Sequence, residues 1–430
     1  MKTPCVALTL CVALTAHGTE KEALREELEA LKARIAQLEK KLNDDGQPDM
    51  VEEELDEVRT AYEADQALEP ETQSVSQDRI DVGGAVRFQY SFEDYVPANR
   101  DRAGDLDLDT IRINFDGRIA DVLLSAELRY YQYMEVVHHA WVGYQFDKHW
   151  QGQVGITKVP FGVLPYNSHN FFFDTGYYVG LEDDYDAGAK LLYENGPWDI
   201  RLAFFKNDEL GGVDGYVSDR SDRYSYDIVG ERGPAEGAFA APSRRLGEGN
   251  TIVGRLAHTW ENTDGDSTEL GLSLLRGEIY DVDGSAGDYR AGAVHINGNY
   301  GRWNLQLQAA RYEYDLDTGA ERLAVGAYAF FDTIPAEAEL YTANLAYNLP
   351  VDWGPVTDLT FYSDNSLLTG KSAGLDDTTM NILGVAVAAG GLYTYFDLVS
   401  AENQPFIGGT LGANSGERNT RFNVNVGYYF

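Results

Sequence analysis

The end of the chain alternates strictly between two kinds of side chain. One set of positions holds Phe422, Val424, Val426, Tyr428 and Phe430, and the positions between them hold Asn423, Asn425, Gly427 and Tyr429. Because successive side chains of a strand point to opposite faces, this pattern predicts a strand with one apolar and one polar face. About nine to eleven tilted strand residues cross a bilayer, and this segment is long enough to do so.

Strand-like patterns follow one another from Ile80 to the last residue. The sixteen predicted strands are 82–92, 110–118, 123–131, 136–146, 151–157, 187–194, 198–205, 251–260, 270–280, 289–300, 303–314, 340–349, 356–362, 379–388, 392–399 and 421–430. A seventeenth run, 323–331, is assigned to a loop, because barrels of this kind have an even number of strands. The predicted fold is all-β: a transmembrane antiparallel β-barrel of about sixteen strands over residues 80–430.

The predicted connections alternate between short and long. Short turns lie near Ala120, His149, Gly196, Asp264, Gly301, Asp352 and Gly390, and long connections span 93–109, 159–186, 206–250, 315–339, 363–378 and 400–420. Brief connections near Met134 and Asp283 are exceptions. Barrels with both termini in the periplasm have short inner turns and long outer loops, which favours a membrane barrel over a soluble β-sandwich of the same periodicity. Sixteen strands enclose more space than side chains fill, so an aqueous channel is expected.

Alternation also assigns the two faces of the strands. Lipid-facing positions are predicted at Leu124, Ala126, Leu128, Tyr130, Trp303, Leu305, Leu307 and Ala309. Lumen-facing positions are predicted at Ser125, Glu127, Arg129, Tyr131, Asn304, Gln306 and Gln308. The negative mean hydropathy agrees with this arrangement, because a barrel hides its polar residues in a wet lumen.

The first residues of the chain predict an export signal. Residues 1–18 combine a basic start, a short apolar run and the small residues that a signal peptidase requires, so they are expected to be removed. Both cysteines, Cys5 and Cys11, lie in this segment, which leaves the mature chain without a thiol.

Residues 19–46 predict a coiled-coil helix. Apolar residues recur at the a and d heptad positions Leu24, Leu28, Leu31, Ile35, Leu38 and Leu42. Self-association of this helix in the periplasm is expected, and a lone amphipathic helix lying on another surface is the alternative. Residues 47–79 are acidic, poor in large apolar groups and predicted to be a linker.

Two features resemble known outer-membrane families. The terminal Phe430 with its neighbouring tyrosines is similar to the signal that bacterial outer-membrane barrels present to their assembly machinery. The order of signal, heptad helix and barrel, with the segments Gly155–Gly162 and Asp184–Lys190, resembles the phosphate-selective porin O/P family. That resemblance implies a homotrimer of sixteen-stranded channels. Phosphate selectivity in the family relies on clustered basic residues, whereas Pro160–Asp186 contains no Lys or Arg.

The distribution of charged residues suggests a constriction that contains both positive and negative groups. Strand parity places six basic residues inward: Arg87, Arg112, Arg129, Lys190, Arg201 and Arg255. The aromatic loop Pro160–Asp186 carries five carboxylates: Asp174, Glu182, Asp183, Asp184 and Asp186. If this loop enters the lumen, its carboxylates are expected to outweigh the dispersed bases and give weak cation preference. The alternatives are that the bases serve structural pairs with Glu127, Asp116 or Glu194, and that the loop is an outer lid.

Other chemistry is not indicated by the sequence. The Asp-rich segments 264–266 and 281–288 fit hairpin turns better than calcium loops, and His138 and His139 are expected on opposite faces of a strand. No nucleophile motif is present, so no enzyme activity, metal or cofactor is predicted.

The formal charge of −36 disfavours nucleic acid as a partner. Expected partners are outer-membrane lipid, lipopolysaccharide, the barrel-assembly machinery, further copies of the chain and possible cell-wall contacts. The predicted function is a passive outer-membrane diffusion channel for small hydrophilic solutes and ions. An anion-selective porin, or an anchor that uses the coiled coil, is the alternative.

Overall fold

The computed structural model describes residues 78–262 and 265–430. The predicted signal peptide, the coiled-coil positions Leu24 to Leu42 and all but the last two residues of the linker lie outside the described residues. No helix in the described part of the chain is long and apolar enough to span a bilayer.

The described residues form a closed barrel of sixteen antiparallel strands. The wall consists of β1 (Arg79–Glu93), β2 (Asp105–Ile119), β3 (Val122–Tyr130), β4 (Glu135–Gln145), β5 (Trp150–Lys158), β6 (Tyr185–Asn195), β7 (Trp198–Asp208), β9 (Gly247–Glu261), β10 (Ser267–Asp281), β11 (Gly284–Tyr300), β12 (Trp303–Leu316), β15 (Glu337–Trp353), β16 (Val356–Thr369), β17 (Thr378–Ala389), β18 (Leu392–Glu402) and β19 (Arg418–Tyr429). Each neighbouring pair is antiparallel, and β19 closes the barrel on β1 with Tyr429 opposite Ala85. The predicted barrel and all sixteen predicted strands are confirmed.

The two faces of the wall follow the alternation of the sequence. Leu128 and Trp303 are 47% and 48% exposed on the outer face, whereas the inward-facing Ser125 and Gln308 are 1% and 5% exposed. Closure satisfies the backbone hydrogen bonds of every wall strand, which is the condition for a sheet to stand in lipid. The predicted assignment of faces is confirmed on β3 and β12.

The two rims of the barrel differ in loop length. One rim carries two- to five-residue turns such as those after Ile119, Asn195, Tyr300 and Ala389. We call the opposite rim, which holds connections 94–104, 159–184, 209–246, 317–336, 370–377 and 403–417, the long-loop rim. The predicted alternation of short and long connections is confirmed, including the short exceptions at 131–134 and 282–283.

A three-stranded sheet stands at the long-loop rim. It contains β8 (Asp227–Glu231), β13 (Arg322–Ala327) and β14 (Phe330–Pro335), in the order β14-β13-β8. The run 323–331 therefore lies in the connection between the wall strands β12 and β15, as predicted, and is not a strand of the barrel wall. Leu323, Val325 and Ile334 are at most 1% exposed and join an apolar cluster with residues of the barrel interior, including Tyr177 and Phe205.

Candidate functional site

The connection between β5 and β6, residues 159–184, lies inside the barrel, and we call it the lumen loop. Gly162 N donates to Ser273 Oγ of β10 (3.0 Å), and Val163 N donates to Gln308 Oε1 of β12 (3.1 Å). Ser273 lies between two residues whose side chains are exposed on the outer face, so its hydroxyl must point inward. A loop that donates hydrogen bonds to inward-facing wall side chains lies in the lumen and does not simply cover the rim.

The tip of the lumen loop reaches the wall formed by β16, β19 and β1. Asn170 Nδ2 donates to Asp364 Oδ2 (2.7 Å), and the His169 ring contacts the same carboxylate (2.8 Å). The rings of Phe171 and Phe172 lie under the guanidinium groups of Arg87 and Arg421, at 5.2 and 5.1 Å. The loop is thus fixed by charged and polar groups on the opposite wall.

The five predicted loop carboxylates, of which Asp186 proves to lie in β6 and the other four in the lumen loop, do not present a charged face to the lumen. Asp174, Glu182, Asp183, Asp184 and Asp186 are each 6% exposed or less. The partly exposed side chains of the loop include aromatic ones, namely Tyr166, Phe171 and Phe173. The structure therefore corrects the expectation of an acidic constriction face, because the loop turns its carboxylates toward its own backbone and toward the wall.

Asp183 is held as a charged group. Burial alone raises the pKa of its carboxyl, but the Lys158 ammonium and a hydrogen bond from the Tyr224 hydroxyl outweigh burial and bring the pKa below its ordinary value. The wall residue Lys158 and the long connection 209–246 thus meet at one loop carboxylate.

Asp174 and Glu182 form a second buried acidic group within the loop. Asn167 bonds both of them, through Nδ2 to Asp174 Oδ2 (2.5 Å) and through its backbone N to Glu182 Oε1 (2.8 Å). Burial raises the pKa of Asp174 to about 7. Burial and the neighbouring Asp174 raise the pKa of Glu182 well above its ordinary value. The raised pKa values favour a proton on this pair, which lowers its negative charge relative to two ionised carboxylates.

Three of the predicted basic residues lie on adjacent strands of the inner wall. Arg87 pairs with Asp109 (2.6 Å), and Arg129 pairs with Glu127. Arg112 is half-buried and forms no salt bridge with a described residue, and its Nε has no hydrogen-bond partner among them. The structural-pair alternative thus fits Arg129, which pairs with Glu127 as named, and Arg87 is paired with Asp109 instead. Arg112 has no described carboxylate within salt-bridge distance, although Glu127 is near enough to interact with it electrostatically.

The other three bases lie across β6, β7 and β9. Arg201 is 3.0 Å from Asp199 and 3.8 Å from Glu194. Arg255 bridges Asp199 and Glu269 at 2.7 and 2.6 Å, and its Nε donates to the Gly162 carbonyl of the lumen loop. Lys190 Nζ donates to the Lys158 carbonyl (3.0 Å). All three side chains are buried on the inner side of the wall, and Arg255 also anchors the loop.

His138 and His139 lie on the same face, contrary to the prediction. The β3–β4 register shifts between Glu127 and Leu128, so that His138 is an extra residue in a bulge. Both side chains are buried, and their Nδ1 atoms are 2.9 Å apart. A bulge breaks the two-residue period, which is why strict alternation gave the wrong answer.

Several residues of this site escaped the sequence reasoning. Asp364 anchors the loop tip, Asp109 neutralises Arg87, and Asp227 lies against the loop carboxylates. Parity alone could have placed Asp364 in the lumen, but no local pattern indicates its partner 195 residues away. The segment 281–288 contains a hairpin turn at 282–283, as predicted, and continues as the start of β11. Asp281 Oδ1 accepts from the backbone N of Asp283 and Gly284.

Comparison with known proteins reveals similarity of fold alone. No protein-family model and no curated protein matches the sequence. Among solved structures, the chain is similar to Salmonella typhi OmpF in complex with daunomycin (TM-score 0.52, 11% identity, 82% of this chain and 98% of that chain). It is also similar to the outer membrane channel DcaP of Acinetobacter baumannii (0.50, 10%, 84% and 99%). In vitro folded Vibrio cholerae OmpT, an outer membrane protein in its trimer form, matches at 0.50 with 12% identity over 82% and 99%. The chain therefore has the fold of outer-membrane porins and channels.

Proposed function

We propose that this protein is a passive diffusion channel of the bacterial outer membrane. The observation that carries the proposal is the closed sixteen-stranded wall, apolar outside and polar inside, with a loop folded into its lumen. A barrel of this size leaves an aqueous path, and a loop inside it narrows that path to the size of small solutes. The partly exposed aromatic edge of the loop and the inward arginines would line the narrow section.

Assembly as a homotrimer forms part of the proposal. The trimer form of Vibrio cholerae OmpT, which has a similar fold, and the heptad positions Leu24 to Leu42 support it. The C-terminal strand would be the segment presented to the barrel-assembly machinery. Residues 19–46 would lie in the periplasm, and lipid and lipopolysaccharide would surround the outer wall. Periplasmic placement of the helix could also allow contact with the cell wall.

Planar-bilayer recording tests the channel directly. The full-length protein should give stepwise conductance, and replacing Tyr166 and Phe173 with Ala should raise it, because their rings lie 5.7 Å apart on the partly exposed loop edge. Tyr216→Ala is a matched control, because that side chain is fully exposed in a different loop. A heat-modifiable, folded barrel with no conductance above the detergent background would overturn the proposal.

An anion-selective channel, as in the family that the sequence resembles, is a second candidate. The specific observation in its favour is that the loop carboxylates are buried while Arg112 is partly exposed and its Nε has no hydrogen-bond partner among the described residues. The absence of Lys and Arg from Pro160–Asp186 therefore counts less against anion preference than the sequence suggested. Phosphate specificity would require saturable block of the current by phosphate.

We expect no hydrolytic activity. Among the described residues, Ser125 is the one whose contacts most resemble those of a catalytic nucleophile with its base. Its Oγ is 2.7 Å from both His139 Nε2 and Asp116 Oδ1. Ser125 is only 1% exposed, and a substrate carbonyl would have no access to its hydroxyl. Ester, peptide and phosphate-ester turnover that is lost in Ser125→Ala would contradict this expectation.

A further inference from the structure

Three aspartates from different elements meet at the β8 edge of the small sheet. Asp184 ends the lumen loop, Asp186 lies at the start of β6, and Asp227 begins β8. One carboxylate oxygen of each lies within 4.8 Å of the others, and all three residues are buried. Asp186 is 98% buried, and its Oδ1 has no hydrogen-bond partner among the described residues. A buried carboxylate oxygen that accepts no hydrogen bond is costly, and a bound cation or a proton would offset that cost.

The charged groups around the three aspartates add more negative than positive charge. Asp208, Glu209 and Glu248 lie close to the three aspartates, and the basic groups facing them are Arg220 and Arg223. Arg223 is already shared, with contacts of 3.0 Å to Asp208, 3.3 Å to Glu209 and 2.7 Å to Asp227. Glu248 accepts from Tyr289 (2.6 Å) and Tyr314 (3.1 Å), so its oxygens are satisfied by neutral donors. Carboxylates in this region outnumber guanidinium groups.

We propose that Asp184, Asp186 and Asp227 bind a divalent cation of the Ca²⁺ type. Ca²⁺ takes oxygen ligands at about 2.3–2.6 Å, so two oxygens on one ion lie up to about 5 Å apart, which the observed spacing allows. Zn²⁺ prefers nitrogen and sulfur ligands, and none joins this cluster in the described chain. Mg²⁺ requires shorter distances and closer to octahedral geometry.

The consequence of such a site is mechanical. One ion would join the end of the lumen loop and the start of β6 to β8 of the small sheet, which the chain reaches only through β7 and part of the long connection 209–246. Bound cation would therefore hold the loop and the sheet in one arrangement. Removing the cation would leave three buried carboxylates facing one another and would loosen both elements.

Terbium luminescence tests the site on the full-length protein in detergent, after EDTA treatment. Tyr185 lies between two of the ligands in sequence and can sensitise Tb³⁺ emission. We expect Tb³⁺ to bind and to be displaced by Ca²⁺ at about 1 mM or below, the range of extracellular calcium modules. Asp186→Asn should weaken binding at least about tenfold, since even loss of a group that only orients a ligand has an effect of that size. Asp283→Asn, an exposed acid in a hairpin turn, should leave it unchanged.

Thermal unfolding in Ca²⁺ and in EDTA provides a second measurement. Ca²⁺ should raise the melting temperature of the wild type but not that of Asp186→Asn or Asp227→Asn. If the cluster holds no cation, Asp186→Asn removes only like-charge repulsion and should raise the melting temperature in EDTA and Ca²⁺ alike. That result, or equal Tb³⁺ affinity in wild type and Asp186→Asn, would overturn the proposal. If these variants do not fold, failure of the wild type to bind Ca²⁺ would overturn it.

Discussion

Lys158 Nζ lies 2.9 Å from Asp183 Oδ1, which ties the last residue of β5 to the far end of the lumen loop. The two side chains are 4% and 1% exposed. The ion pair joins the two ends of the lumen loop. This link explains how a segment with few regular backbone hydrogen bonds is held in one position inside the barrel.

Replacing Lys158 with Met should release the loop. Removing one member of a buried pair leaves the other charge uncompensated, at a cost of about 3–5 kcal/mol to loop docking. The loop holds Phe171, Phe172 and Phe173, so limited chymotrypsin digestion should cut it faster in the variant, while the barrel stays heat-modifiable. Lys206→Met, at an exposed outer position, is the control. Equal cleavage rates for Lys158→Met and wild type would show that the pair does not hold the loop.

Docking of the loop should also depend on pH. Asp174 has a folded pKa of about 7 and Glu182 a raised pKa, so both bind protons more tightly in the folded loop than in a released one. Their contribution to stability is complete below the ordinary carboxyl pKa and is lost as pH rises through about 7. Chymotryptic cleavage of the loop should therefore become faster as the pH rises from about 6 to about 8.

Asp174→Asn provides the matched test of that pH dependence. An amide keeps the shape of the side chain and never ionises, so cleavage of the variant should change much less across the same pH range, after correction for the protease's own pH profile. A pH dependence as steep as that of the wild type would assign the effect to other groups.

The barrel could be predicted from the sequence, whereas the site could be predicted only in part. Alternation at Ser125 or Gln308 is a local property of a strand, and each strand repeats it independently. The buried partners of Asp183 and Asp364 lie at other points along the chain, and no period indicates them. The five carboxylates of Pro160–Asp186 were visible as residues, but their burial depends on how the lumen loop folds against the wall.

The heptad segment should contribute to assembly. Deleting residues 20–46 removes Leu24, Leu31 and the other core positions of the predicted coiled coil while leaving the barrel strands intact. The native mass in detergent should shift from trimer toward monomer at low protein concentration, and heat-modifiability of the barrel should persist. A full-length protein that is already monomeric would contradict the predicted role.

Selectivity should follow the wall arginines rather than the loop acids, which reverses the expectation drawn from the sequence. Arg112 is partly exposed without a salt bridge to a described residue, whereas Glu182 is buried with a raised pKa. Fixed charge in a narrow section is screened less than charge in a wide vestibule, so Arg112 should favour anions weakly, and more strongly at low salt. In a potassium chloride gradient, Arg112→Gln should move the reversal potential toward cations, whereas Glu182→Gln and the exposed control Arg302→Gln should leave it nearly unchanged. A wild-type channel that prefers cations, with a larger shift in Glu182→Gln than in Arg112→Gln, would restore the acidic constriction.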